Sequence, residues 1–146
     1  MIQDNKFQYL EWRSADEMHR DGLRWLSELN FIADELVFLE DLLAEYFLQL
    51  STKQQYPEAK SLVKTLVESN KTVKSMISKV KKHMNELSIL LDKEDQPYEE
   101  REVKAAHREL VEESDSYFKD FKALKKNIFI LISGIMKNDK TKRLLN

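Results

Sequence analysis

The sequence predicts an all-α fold, an antiparallel up-down-up bundle of three long helices with coiled-coil-like packing. The first observation is that only two glycines and two prolines occur among 146 residues, whereas folds rich in tight turns use far more of both. The second is the balance of 34% charged and 42% hydrophobic residues, which is typical of long amphipathic helices. The third is that apolar residues recur at alternating steps of four and three, the period of helices that pack side by side.

The first helix is predicted over about residues 15–50. Ser14 and Glu17 fit a capping box, in which the two side chains satisfy the free backbone donors at a helix start. Residues 1–13 precede the helix and are predicted to form an N-terminal arm. The register positions are all apolar or glycine: Ala15, Met18, Gly22, Trp25, Leu29, Ile32, Leu36, Leu39, Leu43, Tyr46 and Leu50.

The second and third helices are predicted over about 57–92 and 97–138. Each begins with a proline, whose fixed φ suits a first helical position. The residues 139–146 are predicted to form a basic tail. Because the connections are short, neighbouring helices are expected to run antiparallel, and residues 1–146 are predicted to form a single helical-bundle domain.

Charge and composition exclude several classes of protein. The net charge is −2 and cysteine is absent, so disulfides, thiolate metal sites and a cysteine nucleophile are excluded. The N-terminal residues lack the apolar stretch of a signal peptide. The longest apolar run, 128–132, is far shorter than the roughly 20 residues that span a bilayer. We expect a soluble, cytoplasmic protein without a membrane association.

No catalytic motif can be recognised. Gly22 and Gly134 are the only glycines, so neither a P-loop nor a glycine-rich dinucleotide motif is present. A ferritin-like di-iron centre needs paired Glu-x-x-His motifs, and of the three histidines only His19 has an acid, Asp16, three residues before it. We therefore predict no catalytic residue, no cofactor, no metal ligand and no small-molecule substrate.

Two histidines are nevertheless predicted to meet. Folding the helices about their loops places His83 beside His107, with Trp25 in the same layer and Glu28 one turn away. One hypothesis is a metal-binding or catalytic site that uses both histidines. The other is a polar layer that fixes the helix register, as a buried asparagine does in coiled coils.

Nucleic-acid association is a third hypothesis. Five lysines of the second helix form a lysine stripe one position after its core residues: Lys60, Lys64, Lys71, Lys74 and Lys81. Such a stripe could follow a phosphate backbone. The first helix, however, carries nine acidic residues against two arginines, and this negative field argues against phosphate binding.

Charged flanks predict how the three helices wind. One flank of the first helix is expected to face one flank of the third, with Asp21 opposite Lys104 and Glu45 opposite Lys125. Such exposed pairs are worth little stability, so they indicate arrangement only.

An apolar excess at one end of the bundle predicts a contact surface. There, apolar residues stand outside the core register, and two neighbouring helices cannot cover them all. The predicted interface residues are Phe47, Leu48, Phe129, Ile130, Ile132 and Met136.

The first helix also resembles the opening of some small bacterial helical proteins of unknown activity. The resemblance is carried by residues 25–31, Trp-Leu-Ser-Glu-Leu-Asn-Phe, and by the following Asp34, Glu35 and Leu36. It implies a helical bundle and no activity. Together these observations predict a non-enzymatic bundle that acts by protein–protein contact, as a scaffold, adaptor or homo-oligomer. The expected partner is another protein or a second copy in a homodimer.

Overall fold

The computed structural model describes residues 14–52, 54–92 and 97–145. They form three α-helices, α1 (Ala15–Ser51), α2 (Tyr56–Asp92) and α3 (Pro97–Leu145), and no strand occurs among them. The helices pack against one another, which confirms the all-α bundle. The predicted arm at 1–13 lies outside the described residues. Within the described part of the chain, no helix has a long enough apolar stretch to cross a membrane.

The start of α1 confirms one half of the predicted capping box, because Ser14 caps the backbone of Glu17 whereas the Glu17 carboxylate contacts the Ser14 hydroxyl instead of its backbone N–H. The backbone N–H of Glu17 donates to Ser14 Oγ over 3.1 Å, and the Ser14 hydroxyl donates to Glu17 Oε1 over 3.2 Å. The backbone N–H of Met18 donates to the Ser14 carbonyl oxygen at 3.0 Å. The bond from Glu17 satisfies a backbone donor that has no partner inside the helix, so α1 begins where the sequence predicts.

The end of α3 differs from the prediction. The helix continues to Leu145, so the prediction of a basic tail from residue 139 is wrong for the described residues. Neither glycine nor proline follows Gly134, and the lysines and leucines of this segment are good helix formers. The Thr141 hydroxyl also donates to the Lys137 carbonyl oxygen over 2.9 Å, a bond that is compatible with a helical backbone.

The chain divides into two compact units, each containing segments of all three helices. The first comprises the described residues of Met1–Phe31 and Lys74–Tyr117, and the second those of Ile32–Val73 and Phe118–Asn146. In the first unit, Met18, Leu87 and Val103 pack together as a buried cluster, with Ala15 and Leu90 against it. Other buried apolar residues of this unit are Trp25, Leu29, Met76, Val80, Met84, Leu110 and Tyr117.

The second unit has a core of aliphatic side chains and one phenylalanine. Its buried residues follow the predicted 4-3 register: Ile32, Leu36, Leu39, Leu43 and Leu50 of α1, Leu66 and Val73 of α2, and Phe121, Leu124, Ile128, Leu131 and Ile135 of α3. Ala59, which is also a register position, is buried, and so are Leu62 and Ile132 outside the register. The register therefore identifies most of this core, and Ile132 adds to it from the flank of α3.

An ion pair joins α1 to α3 in the second unit. Lys125 Nζ lies 2.7 Å from Glu35 Oε2. The charged flanks predict that Lys125 pairs with Glu45, and this prediction is wrong because Lys125 pairs with Glu35. The two helices are separated in sequence by α2 and two loops, so small errors in the assumed fold of each loop add up to a shift along α1.

Candidate functional site

The two predicted histidines meet in the first unit. His83 of α2 and His107 of α3 are both buried, and His83 Nε2 lies 2.8 Å from His107 Nδ1. The predicted contact is confirmed. Trp25 of α1 stacks on the His107 ring with centroids 5.0 Å apart and planes inclined by 29°, so the predicted layer of three rings is confirmed as well.

Asp21 completes this layer, and the sequence interpretation missed it. Its Oδ2 lies 3.0 Å from His107 Nε2, and its side chain is buried rather than on the predicted surface flank. Asp21 precedes Trp25 by four residues, so the two lie on the same face of α1. That spacing is the signal that could have identified it. Glu28, the acid that the sequence interpretation placed near the layer, is exposed. We call Asp21, His83 and His107 the polar layer.

The hydrogen bonds determine which atoms of the polar layer carry protons. A carboxylate only accepts, so His107 donates its Nε2–H to Asp21. In the neutral form of His107, Nδ1 is then an acceptor and receives the Nε2–H of His83. Burial, and next the neighbouring His107, lower the pKa of His83 from its ordinary 6.5 to about 4. His83 is therefore neutral at pH 7, with its remaining nitrogen, Nδ1, buried and without a hydrogen-bond partner.

This arrangement does not resemble a metal centre. The three side chains follow one another in a line, and both ring nitrogens of His107 are engaged in it. No group of three His, Asp or Glu side chains placed to hold a metal ion occurs within 14–52, 54–92 and 97–145. A shallow groove of about 310 Å³ adjoins His83 between α2 and α3, with charged residues on its walls: Lys79, Lys82, Glu86, Glu109 and Glu113.

The predicted interface residues lie in the second unit, and five of the six are exposed. Their exposed fractions run from 37% for Phe47 to 81% for Leu48, with Phe129, Ile130 and Met136 between them. The prediction for Ile132 is wrong, because this side chain is 2% exposed and belongs to the core. Ile132 directly follows the core residue Leu131, so the core edge extends one position further around α3 than a strict register implies.

Phe47 lies at a groove between α1 and α2. Its ring contacts the edge of Tyr56, with centroids 6.0 Å apart and an interplanar angle of 67°. The groove has a volume of about 330 Å³ and is lined mainly by apolar side chains, among them Ala44, Val63 and Val67. Phe47 is thus partly covered by its own unit and remains accessible from this groove.

Phe129 and Ile130 lie on a different surface, the outer side of α3. A larger groove of about 620 Å³ runs along this side. Its described lining consists of residues from α3 alone: Lys122, Lys125, Lys126, Phe129, Ile130, Ser133, Gly134 and Lys137. Four lysines therefore surround two exposed apolar side chains.

The lysine stripe of α2 is exposed along its whole length. Lys60 Nζ lies 5.2 Å from the centroid of the Tyr56 ring, so part of this lysine's charge is directed to an aromatic face of its own helix. The chain matches no protein-family model, no curated protein and no solved structure. The resemblance of the first helix to small bacterial proteins therefore stays a prediction.

Proposed function

We propose that this protein acts without catalysis, through protein–protein contact, as a scaffold, adaptor or homo-oligomer. The observation that carries the proposal is the exposure of Phe129 and Ile130 beside a groove of about 620 Å³. Single exposed apolar side chains are common on protein surfaces. Contiguous exposed apolar patches, in contrast, mark surfaces that bind a partner, and Phe129 and Ile130 stand together at one groove.

The energetics favour a covered state. An apolar side chain such as phenylalanine or isoleucine gains roughly 1.5–3 kcal/mol when it is fully removed from water. Leu48 and Met136, which are 81% and 53% exposed, would add to that gain. The groove at Phe47 offers a further apolar surface, so the second unit presents apolar side chains on more than one side.

The polar layer supports a structural role better than a metal-binding or catalytic one. Its side chains are buried and hydrogen-bonded to one another across three helices. A buried polar group that pairs in only one register penalises slipped packing. The nucleic-acid hypothesis has support only from exposed lysines, those of the lysine stripe and those beside Phe129 and Ile130, while the acids of α1 argue against it.

A comparison of matched variants tests the proposal. The wild type and a Phe129→Glu/Ile130→Glu variant are used as bait in the native host extract, and their own oligomeric state is measured by light scattering. The control is Leu23→Glu/Ile89→Glu, which places the same charges at exposed apolar positions of the first unit. We expect the first variant alone to lose its partner or its self-association. Equal behaviour of all three proteins would contradict the proposal.

A further inference from the structure

The outer side of α3 has a chemical counterpart on the outer side of α1. We define the basic face of α3 as Lys122, Lys126, Phe129, Ile130, Ser133, Met136 and Lys137. These residues recur at steps of three and four, so they form one stripe along the helix. All of them are exposed, and the stripe contains three lysines, three apolar side chains and no acid.

The acidic face of α1 is built in the same way with the opposite sign. It consists of Asp34, Val37, Phe38, Asp41, Glu45 and Leu48, which again recur at steps of three and four. All six are exposed, and the stripe contains three acids, three apolar side chains and no base. Both faces belong to the second unit. None of their six charged side chains forms an ion pair with another described residue.

The two faces also match in length and in spacing. Residues 34–48 span about 21 Å of helix and residues 122–137 about 22 Å, at 1.5 Å per residue. When the helices are laid antiparallel, their apolar pairs coincide: Val37 meets Ile130 and Phe38 meets Phe129. One further turn along each helix, Asp41 meets Lys126, and the next turn brings Glu45 to Lys122. Apolar and ionic contacts therefore form in a single register.

We infer that the partner of this surface is a second copy of the chain, with the acidic face of α1 docked antiparallel on the basic face of α3. This inference rests on the proposed protein-contact function and names its partner. In the up-down-up bundle, α1 and α3 run in the same direction, and the Glu35–Lys125 pair places them side by side in this unit. A twofold axis across the helices therefore forms two equal contacts, one in each direction.

Two contacts are needed on grounds of size. Specific interfaces bury roughly 1,200–2,000 Å² in total, and a symmetric pair of helix contacts doubles the area that a single pair buries. Ion pairs at such an interface mainly select the correct register and partner, whereas the apolar side chains supply most of the affinity. A nucleic acid or an anionic membrane would contact the basic face alone and leave the acidic face unused.

Charge exchange between the two faces tests the inference. One variant carries Asp41→Lys/Glu45→Lys and the other carries Lys122→Glu/Lys126→Glu. Each is expected to self-associate at least about tenfold more weakly than the wild type, because like charges then face each other in both contacts. An equimolar mixture restores opposite charges in both contacts, so we expect a heterodimer about as stable as the wild-type dimer. Recovery in the mixture also shows that both variants are folded.

The measurements are light scattering from roughly 5 to 200 µM and capture of one variant by an affinity-tagged copy of the other. A Lys71→Glu/Lys74→Glu variant, exposed on α2, controls for net charge and is expected to dimerise like the wild type. The inference is overturned if the wild type stays monomeric. This holds equally if the monomer binds duplex DNA or anionic vesicles.

The same experiments distinguish a failure of the inference from a failure of the proposed function. If dimerisation is unchanged in the charge variants but is lost in Phe129→Glu/Ile130→Glu, the antiparallel register of α1 on α3 is overturned. The proposed apolar contact is then still supported. The self-pairing alone is also overturned if the wild type is monomeric and binds a protein from the host extract that the Phe129→Glu/Ile130→Glu variant does not bind. If neither self-association nor any protein ligand depends on Phe129 and Ile130, the proposed function is contradicted as well.

Discussion

His107 of α3 donates its Nε2–H to the buried carboxylate of Asp21 in α1 over 3.0 Å. The two residues lie 86 positions apart in the chain, on helices that are not consecutive. A hydrogen bond to a buried charged acceptor forms in one register only, so it selects the relative position of α1 and α3 in the first unit. On the opposite side of its ring, His107 is hydrogen-bonded to His83, and this second bond selects the position of α2 relative to α3.

Removing the carboxylate is expected to destabilise the protein. In Asp21→Ala, His107 keeps a buried N–H without an acceptor, and an unsatisfied buried group of this kind costs about 1–3 kcal/mol. We predict a loss of that size in the free energy of unfolding, measured by urea denaturation at pH 7. The Asn replacement retains an acceptor, so Asp21→Asn is expected to lose less.

Glu28→Ala is the matched control for Asp21→Ala. Both positions are acidic residues on α1, but Glu28 is exposed, so its removal is expected to change stability by less than about 0.5 kcal/mol. Equal losses in the two variants would show that Asp21 acts only through the general charge of α1 and not through His107.

The lowered pKa of His83 predicts an acid-sensitive fold. In the unfolded chain His83 takes up a proton near pH 6.5, whereas in the folded protein its pKa is about 4. Between these values the unfolded state binds more protons, so stability is complete above about pH 6.5 and falls as the pH drops to about 4. A shift of this size corresponds to roughly 3 kcal/mol in total.

Unfolding free energies of the wild type and of His83→Gln, measured between pH 4 and 7.5, isolate this effect. Glutamine can still donate a hydrogen bond but does not titrate. The unfolding free energy of the variant is therefore expected to depend less steeply on pH, with a slope that corresponds to up to one fewer proton taken up on unfolding. Parallel profiles for the wild type and His83→Gln would contradict the prediction.

Much of the fold could be predicted from the sequence because the 4-3 register is continuous. It identifies α1 and α2 to within one residue at either end, and folding the helices about their loops places Trp25, His83 and His107 in one layer. Asp21 escapes the same reasoning because a carboxylate one turn from the core is ordinarily a surface residue. Only the imidazole opposite it makes burial favourable, and that imidazole comes from a helix that the register of α1 does not describe.

The misassigned surface positions have a related cause. Helical periodicity places a residue on the circumference of its helix, but the neighbouring helix decides how much of that circumference is covered. Ile132 and Phe129 lie on the same flank of α3, yet Ile132 is buried and Phe129 is 40% exposed. The partner of Lys125 is mispredicted for a similar reason, because the register between α1 and α3 depends on two loops.

The ion pair between Glu35 and Lys125 is expected to be weak but measurable. Its atoms are 2.7 Å apart, and the side chains are 19% and 41% exposed, so solvent screens the pair only partly. A double-mutant cycle with Glu35→Gln and Lys125→Met should give a coupling of about 0.5–1 kcal/mol. The same cycle with Glu45 in place of Glu35 is expected to give no coupling, and the reverse result would support the register predicted from the charged flanks.

The two glycines provide a prediction in which one substitution has opposite effects at two sites. Both stand inside helices, where alanine is favoured over glycine by about 1 kcal/mol. A Cβ atom at Gly134 would meet nothing within 4 Å, so Gly134→Ala is expected to stabilise the protein by about that amount. At Gly22 a Cβ atom would lie 2.7 Å from Cγ of Met84, closer than these atoms can approach, and in tight contact with Sδ at 3.1 Å.

Because Cγ is near the backbone of Met84, this side chain cannot simply swing aside. The strain of overfilling a packed core is typically about 1–3 kcal/mol, so Gly22→Ala is expected to be destabilising overall despite its better helix propensity. Truncating the neighbour removes the overlap. In a Met84→Ala background, Gly22→Ala should therefore become stabilising, like Gly134→Ala in the wild type. Thermal and urea unfolding of the four single and double variants measure these signs. A stabilising Gly22→Ala in the wild-type background would mean that α1 and α2 lie further apart at this layer than the structure places them.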